Sequence, residues 1–213
     1  MKDTGFLIVL SGFAGSGKGT IIKELLSRHP DEYVLSVSAT TRQPRPGEAE
    51  GREYFFETAE AFEQMIANEE LLEYARYVDN YYGTPRSYVE EQLAACRNVI
   101  LEIEIQGALQ IKERFPETLL LFVAPPSAQI LRNRLVGRGT ETPEVIRSRL
   151  TRAVEEADGC EVYDYLIIND DLDLCVDEVH HIIRSERCRM RHRLSRIEAI
   201  KQDLKKYVKG EQI

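Results

Sequence analysis

The sequence contains no apolar run long enough to cross a membrane. Its longest apolar runs cover residues 6–10 and 119–124, whereas a transmembrane helix needs about 20 residues. The first run follows Met1-Lys2-Asp3, and an acidic residue at that edge is not typical of a signal peptide. We therefore expect a cytoplasmic protein that makes no membrane contact.

Cysteine is also scarce. The four cysteines form no Cys-x-x-Cys pair and are too few to crosslink 213 residues, so we expect reduced thiols. Five Cys and His residues near the C-terminus could in principle form a zinc site: Cys175, His180, His181, Cys188 and His192. Their spacings match no common ligand pattern, so we favour side chains without a metal there.

Internal repeats and low-complexity segments are absent as well. Hydrophobic residues make up 43% of the chain and charged residues 30%, a balance that excludes a fully disordered or fibrous chain. The length fits one domain, or one domain with a small insert.

Buried strands and amphipathic helices alternate along most of the chain. Residues 6–10 form an unbroken apolar run that ends in Ser11-Gly12, which is typical of a strand buried on both faces of a parallel sheet. The predicted order continues with a helix over 20–28, a strand over 99–105, a helix over 108–114, a strand over 119–124, a helix over 128–136 and a strand over 165–168. This alternation predicts an α/β fold with right-handed crossovers.

Residues 38–85 interrupt this alternation, because they are polar and contain few long apolar runs. We interpret them as an inserted lobe. Outside the lobe, capping signals predict helix starts at Ser87, which precedes Glu90 by three residues, at Ser127, and at Thr142-Pro143.

The C-terminal tail is basic and helical in pattern. Net charge over the chain is −8, yet residues 184–213 carry ten Lys and Arg against four Asp and Glu. Leu194, Ile197, Leu204 and Val208 are spaced as one apolar stripe. We expect this stripe to pack on the core or on another subunit, and we expect no nucleic-acid partner.

A glycine-rich loop lies between the first predicted strand and the first predicted helix. It reads Gly12-Phe13-Ala14-Gly15-Ser16-Gly17-Lys18, and in this context the pattern predicts a P-loop rather than a flexible turn. Backbone N–H groups of such a loop surround phosphates, the helix N-terminus adds positive potential, and the Lys18 ammonium reaches the outer phosphates. Gly19 stands where Ser or Thr is usual, so Thr20 would ligate magnesium directly or through water.

A P-loop by itself indicates only a bound nucleoside triphosphate. The sequence has no Asp-x-x-Gly or Asn-Lys-x-Asp segment of a switch protein, and the polar lobe suggests a second substrate instead. Arg42 and Arg45 lie between prolines at a short spacing, so we expect both guanidinium groups to converge on one phosphate, with Tyr54 adding a hydroxyl. Two phosphate sites predict transfer between two nucleotides.

The sequence resembles the guanylate kinase family, whose members phosphorylate GMP with ATP. The resemblance covers about residues 5–183 and rests on residues 11–20, 36–47, 51–55, 73, 80–84, 101–107, 124–127, 138–141 and 168–172. It implies a three-layer P-loop core over 1–37 and 86–183, a GMP-binding lobe over 38–85, a mobile lid over about 137–155, and a helical tail over 184–213.

The resemblance also implies how GMP is held. The phosphate would contact Arg42, Arg45, Tyr54 and Tyr82, and guanine would contact Ser38, Glu73 and Thr84. The Glu73 carboxylate can accept both the ring N–H and the exocyclic amine of guanine. Adenine lacks this donor pattern, so we expect strong discrimination against it.

Glu102 and Glu104 alternate with apolar residues along the predicted strand 99–105, so we expect both carboxylates on one face. There they would bind magnesium or an arginine; carboxylates solvated at a sheet edge are the alternative. Relatives usually carry aspartate where Glu104 stands, and we assign Glu104 to the GMP site.

Lid arginines of the family match Arg134 and Arg138, which are four apart on one helical face, and Arg149 in the next predicted helix. Such groups stabilise the charge of the moving phosphoryl group and exclude water when the lid closes. Lys18, Arg42, Arg138 and Arg149 are thus the expected catalytic residues, and Arg134 joins residues 12–20 in binding ATP. We interpret Arg132, Arg147 and Arg152 as exposed and leave them unassigned.

The implied reaction is transfer of the γ-phosphoryl group of ATP to GMP with Mg²⁺. It needs no proton acceptor, because the phosphate oxygen of GMP is already ionised. One rival is a non-catalytic module of the same fold that binds phosphorylated peptides, against which the presence of Lys18, Arg42, Arg138 and Arg149 argues. The other is a kinase for AMP, dGMP or a ribose phosphate. We expect a monomer, or a homo-oligomer formed through the C-terminal helix.

Overall fold

The computed structural model describes residues 5–77, 79–137 and 142–208. Its strands are β1 (Leu7–Gly12), β2 (Tyr33–Leu35), β3 (Ser38–Thr40), β4 (Tyr54–Phe56), β5 (Leu71–Tyr77), β6 (Asn80–Pro85), β7 (Asn98–Leu101), β8 (Leu119–Ala124) and β9 (Tyr165–Ile168). Its helices are α1 (Lys18–Arg28), α2 (Ala59–Ala67), α3 (Arg86–Ala94), α4 (Ile105–Arg114), α5 (Ala128–Gly137), α6 (Pro143–Ala157), α7 (Leu172–Glu186) and α8 (Met190–Val208).

The larger sheet is parallel throughout, with its five strands in the order β2-β7-β1-β8-β9. The predicted α/β fold with a parallel sheet is therefore confirmed. In such a sheet, ligands bind at the carboxyl ends of the strands, where neighbouring connections diverge. The loop after β1 leaves the centre of that edge.

β1 is buried on both faces, as its unbroken apolar run predicts, because its side chains alternate between two apolar clusters. Ile8 and Leu10 pack in the cluster that contains the buried faces of α1 and α7. Leu7 and Val9 pack in the cluster that contains α3 and α4. Two helical layers therefore cover the sheet and hold the loop after β1 in a fixed position.

A second sheet of four strands, in the order β4-β3-β6-β5, lies within residues 38–85. Its apolar face is covered by α2, whose Phe62 is fully buried against Ala39 and Leu71. Two polar groups of α4 tie the sheet to the core: Gln110 Nε2 donates to the Tyr74 carbonyl at 3.1 Å, and Arg114 Nη1 donates to the Leu72 carbonyl at 2.8 Å.

The predicted strand over 99–105 is too long. β7 ends at Leu101, and Glu104 is the extended N-cap residue of α4. The prediction that Glu102 and Glu104 share one strand face is therefore wrong. The apolar alternation continues past β7 because Ile103 packs against the cluster under α4, not because the segment pairs with another strand.

Two of the predicted helix starts are confirmed. The hydroxyl oxygen of Ser127 accepts the N–H of Ile130 at 3.3 Å, and that of Thr142 accepts the N–H of Val145 at 3.4 Å.

The predicted capping box at Ser87 is wrong. Pro85 is the N-cap residue of α3, and no side chain caps this helix. The chain passes directly from β6 into α3, with the Arg86 N–H donating to the Glu70 carbonyl at 2.8 Å. Ser87 therefore lies inside the first turn, and Glu90 forms an ion pair with Arg86 at 3.7 Å instead.

The apolar stripe of α8 does not pack on the core, so that half of the expectation is wrong, and packing on another subunit stays a prediction. Leu194, Ile197 and Leu204 are each at least 50% exposed. The helix is anchored near its start, where Arg191 pairs with the buried carboxylate of Glu186. In the described part of the chain, no helix is both long and apolar enough to span a bilayer.

Candidate active site

The loop between β1 and α1 has positive φ, which favours glycine, at three positions, Gly12, Gly15 and Gly17, and at the first and last of them a side chain would also clash. Gly12 has φ 145°, and a β-carbon there would lie 2.1 Å from the carbonyl oxygen of Val123. Gly17 has φ 97°, and a β-carbon there would lie 2.3 Å from Asn169 Nδ2. Both φ values are ones that L side chains rarely adopt. The backbone can therefore curve tightly at the edge of the sheet.

Lys18, the first residue of α1, lies inside this curve. Its Nζ donates to the carbonyl oxygens of Gly12 at 2.8 Å and Phe13 at 3.3 Å. The first turn of α1 contains no acidic residue, and Gly17 makes no side-chain cap. The positive end of the helix and the ammonium are thus both directed at the loop, as an anion site requires.

Two residues from other elements brace the loop. Asn169, which follows β9, donates from Nδ2 to the Ser16 carbonyl at 2.7 Å. Arg134 of α5 donates to the Ser16 carbonyl at 3.2 Å and to the Asn169 carbonyl at 2.8 Å. A cavity of about 340 Å³ opens beside them, lined by Gly15, Gly17, Thr20, Arg134, Asn169, Asp170 and Leu172.

Asn169 is a site residue that the sequence analysis did not assign. Its sequence signals are its position directly after a predicted buried strand and its place in the stretch 168–172, which belongs to the resemblance.

A second cavity, of about 260 Å³, lies between the second sheet and the segment after β7. It brings together several residues that the sequence analysis assigned to GMP. The lining consists of Ser38, Tyr54, Glu73, Ala75, Tyr82, Gly83, Glu102, Ile103, Glu104 and Gly107. This volume is close to the lower end of the range of small-molecule pockets.

Glu73 is the buried acid of this cavity, with only 4% of its surface exposed. Thr84 Oγ1 donates to its Oε1 at 2.6 Å. Burial raises the pKa of Glu73 to about 7, and the Thr84 hydrogen bond and the charge of Arg114 lower the pKa only in part. Among the described residues, Thr84 is the side-chain donor to this carboxylate, and one such donor does not compensate the full charge of a buried acid.

The close approach of α4 to Glu73 depends on Gly107. A β-carbon at Gly107 would lie 2.6 Å from Glu73 Oε2. The helix therefore forms one wall of the cavity directly against the carboxylate.

The arginine pair of the lobe is arranged differently from the expectation. Arg42 donates from Nη2 to Glu48 Oε1 at 2.9 Å, and its guanidinium lies 5.2 Å from the centre of the Tyr54 ring. Arg45 meets the same carboxylate through its backbone N–H, at 2.8 Å from Glu48 Oε2. The Arg42 hydrogen bond lowers the pKa of Glu48. The two residues thus share Glu48, an acid to which the sequence analysis gave no role.

Tyr82 lies next to this group. Its ring centre is 6.0 Å from that of Tyr54, and its hydroxyl contributes to the raised pKa of Arg42. Tyr54 and Tyr82 therefore line the second cavity and Arg42 lies beside them, whereas Arg45 is exposed.

Glu102 lies between the two cavities. Its Oε2 is 4.0 Å from the β-carbon position of Gly19, and the charge of Lys18 lowers its pKa. Burial has the larger effect, so the pKa of Glu102 is raised overall even though part of its side chain is exposed. A carboxylate thus lies within the field of the P-loop lysine.

Two of the three arginines assigned to the lid lie within the described residues. Arg134 lies at the loop, Arg149 is half-buried on α6, and Arg138 lies outside the described residues. The interpretation of Arg152 as simply exposed is wrong, because it pairs with Glu104 and, at 3.4 Å, with Glu156. The spacing of 48 residues between Glu104 and Arg152 hid this pair from the sequence pattern.

A glycine-rich loop at the carboxyl edge of a parallel sheet, with a second acid-lined cavity opposite, defines a P-loop protein with two substrate sites. Comparison with known proteins gives the family. A family model described as guanylate kinase matches residues 5–186. The chain belongs to the guanylate kinase family.

Individual relatives agree with this assignment. A guanylate kinase of Bacillus anthracis is 53% identical over 185 residues, which are 87% of this chain and 90% of that protein. A guanylate kinase of Bacillus subtilis strain 168 is 49% identical over 186 residues, covering 87% and 91%. The crystal structure of guanylate kinase from Anaplasma phagocytophilum aligns with a TM-score of 0.72 at 35% identity, covering 88% of this chain and 89% of that one.

Proposed function

We propose that the guanylate kinase reaction of this chain, ATP-dependent phosphorylation of GMP to GDP, takes place between the loop at Lys18 and the cavity at Glu73. The observation that carries this proposal is the buried Glu73 carboxylate, which faces a cavity adjoining the P-loop. A buried acid that is short of donors is a binding element for a ligand that brings N–H groups.

Guanine supplies the missing donors. Its ring N–H and exocyclic amine can both donate to Glu73, while Ser38 lines the same cavity and the buried Thr84 hydroxyl donates to the carboxylate from behind. Adenine presents a ring acceptor where guanine presents the N–H. It would leave the carboxylate unpaired, which costs about 1–3 kcal/mol or more per group.

We assign the GMP phosphate to the group formed by Arg42, Tyr54 and Tyr82 at the edge of this cavity. An arginine fork binds a phosphate through two parallel charge-assisted hydrogen bonds. Glu48 now occupies one of the Arg42 donors, so phosphate binding exchanges one anionic partner for another. Arg45, which is exposed nearby, is the second cation that we assign to this phosphate.

ATP is assigned to the P-loop side. Backbone N–H groups of residues 12–20 and the Lys18 ammonium bind its phosphates, and Arg134 supports the loop from α5. The reaction needs no general base, because positioning and charge neutralisation account for most of phosphoryl-transfer catalysis.

Residues with hard oxygen ligands lie where Mg²⁺ would be required. Glu102 carries a carboxylate beside Gly19, and Thr20 is exposed at the start of α1. Carboxylate and hydroxyl oxygens are the ligands that Mg²⁺ prefers, so these residues fit the ion, with Thr20 contacting it directly or through water. When bound, Mg²⁺ neutralises charge on the ATP phosphates.

We assign the lid to about 137–155, the connection between α5 and α6 together with most of α6. Arg138 and Arg149 from this segment would stabilise the transferring group as water is excluded. Arg152 of α6 pairs with Glu104 at the acceptor cavity, so α6 contacts the GMP side directly.

An ADP-release assay with four acceptors tests the proposal. We expect turnover with GMP and little with AMP or a ribose phosphate, and dGMP measures the contribution of the 2′-hydroxyl. Absence of turnover with GMP at millimolar concentration would instead support the non-catalytic module.

The acceptor step should depend on pH through Glu73. Guanine binding requires the ionised carboxylate, and burial raises its pKa to about 7. The ionised fraction therefore rises roughly from a tenth at pH 6 to nine tenths at pH 8. We expect kcat/KM for GMP to rise several-fold over this interval. The GMP phosphate also ionises near pH 6, and the dependence that remains in Glu73→Gln measures that part.

Arg42→Ala tests the phosphate assignment. Loss of charge-assisted hydrogen bonds to the phosphate should raise KM for GMP by about 30- to 100-fold, with KM for ATP nearly unchanged. Arg52→Ala is the matched control, because Arg52 is an exposed arginine of the same lobe that pairs with Glu53. Equal losses for both nucleotides would contradict the assignment.

A further inference from the structure

A second polar cluster lies at the opposite end of α1 from the P-loop. His29 is the C-cap residue of α1, and its ring stacks on that of His180 in α7, with ring centres 3.8 Å apart and planes within 1°. Glu32, in the turn before β2, has Oε1 at 3.9 Å from His29 Nδ1. One ligand atom from each of the three lies within 4.8 Å of the other two. We call these residues the His29 cluster.

A buried tyrosine forms a hydrogen bond with one histidine of the cluster. Tyr33 is 1% exposed, and its hydroxyl lies 2.8 Å from His180 Nδ1. This contact occupies one ring nitrogen and leaves Nε2 as the available ligand atom. A hydrogen bond to the other ring nitrogen is the usual support of a metal-binding histidine, because it fixes the ring orientation and the tautomer.

The cluster is separate from the nucleotide site. α1 has 11 residues, which places its two ends about 16 Å apart. All three side chains are half-buried, so a solute can reach them from the surface. No step of the kinase reaction assigned above uses them.

A positively charged side chain lies next to the cluster. Arg184 of α7 lies with Nη1 at 3.9 Å from Glu32 Oε1. A cation bound by Glu32 must displace this guanidinium or tolerate it. Arg184 therefore competes with any metal at this position.

We propose that His29, Glu32 and His180 bind one dication of the class that prefers imidazole ligands, with Zn²⁺ as the expected ion. Two imidazoles and one carboxylate with an open fourth position are a common ligand set for zinc, whereas Mg²⁺ prefers oxygen ligands alone. The stacked rings must tilt so that the ligand atoms approach to about 3.3 Å, the separation in a tetrahedral site with bonds of about 2.0 Å. The bound ion would link α1 to α7.

The test uses the full chain without added nucleotide. Calorimetric titration with ZnCl₂ should give one site per chain, and Co²⁺ should develop the visible absorption of tetrahedral coordination. Glu32→Gln and His180→Gln should each weaken Zn²⁺ binding at least tenfold. Arg184→Gln should strengthen it several-fold, a gain that a folding defect cannot produce.

His181→Gln is the matched control, since His181 neighbours His180 in α7 but its ring centre is 6.2 Å away and it is not one of the three ligands. It should bind Zn²⁺ as the unmodified chain does. Because Cys188 carries an exposed thiol, the titrations are repeated with Cys188→Ser. Absence of binding, or binding that both His180→Gln and Glu32→Gln leave unchanged, would overturn the proposal.

Discussion

Glu73→Gln should lower kcat/KM for GMP by roughly two to three orders of magnitude while ATP affinity stays nearly constant. The glutamine keeps an oxygen that can accept the Thr84 hydroxyl, but it directs an NH₂ group at the N–H groups of guanine. Two donors then face each other in a cavity from which water is excluded. Steady-state kinetics with each nucleotide varied in turn measure the two effects separately.

The same variant should be more stable than the unmodified chain at pH 8. The pKa of Glu73 is about 7 in the folded chain, against an ordinary value of 4.5. The stabilising contribution of the neutral Glu73 carboxyl is therefore complete below pH 4.5, and it is lost as the carboxyl ionises when the pH rises through 7. Glutamine carries no such cost, and we expect a gain of about 3 kcal/mol at pH 8, measured by urea unfolding, that vanishes near pH 4.5.

Glu63→Gln is the matched control for both measurements, because Glu63 is an exposed acid on α2 in the same lobe. It should change neither kinetics nor stability. Equal losses of GMP and ATP use in Glu73→Gln would contradict the base-binding role of Glu73.

Lys18→Met should lower kcat by roughly a thousandfold or more. Methionine fills the same space beside the loop but removes the ammonium that stabilises charge on the outer phosphates. GMP binding, measured by calorimetry without ATP, should be retained, because the acceptor cavity does not include Lys18.

Lys23→Met controls for the loss of one positive charge on α1, since Lys23 is exposed farther along the same helix. Its kinetics should match those of the unmodified chain. A Lys18→Met enzyme with nearly full kcat would exclude the P-loop lysine from catalysis.

The parts of this molecule that depend on local chemistry were predictable from the sequence. β1 has an unbroken apolar run, and the loop after it has glycines at the three positions with positive φ. The role of Glu73 is different, because the sequence around it shows only an acid among apolar residues. Its partner, Thr84, reaches it only when β5 and β6 pair, and the family resemblance supplied what the local pattern could not.

Contacts between distant segments account for what was missed. Arg152 and Glu104 are brought together by the packing of α6 against the start of α4, and no periodicity within either segment encodes that approach. The end of β7 was missed because apolar alternation serves packing as well as strand pairing. For α8, amphipathicity predicted the helix but could not specify whether its apolar stripe would be covered.

The attachment of α4 to β5 determines how the cavity at Glu73 is connected to the core. Gln110 and Arg114 hold the strand that carries Glu73 against a helix of the core. Glu73 and the loop at Lys18 are consequently both attached to the parallel-sheet core, Glu73 through α4 and the loop through β1.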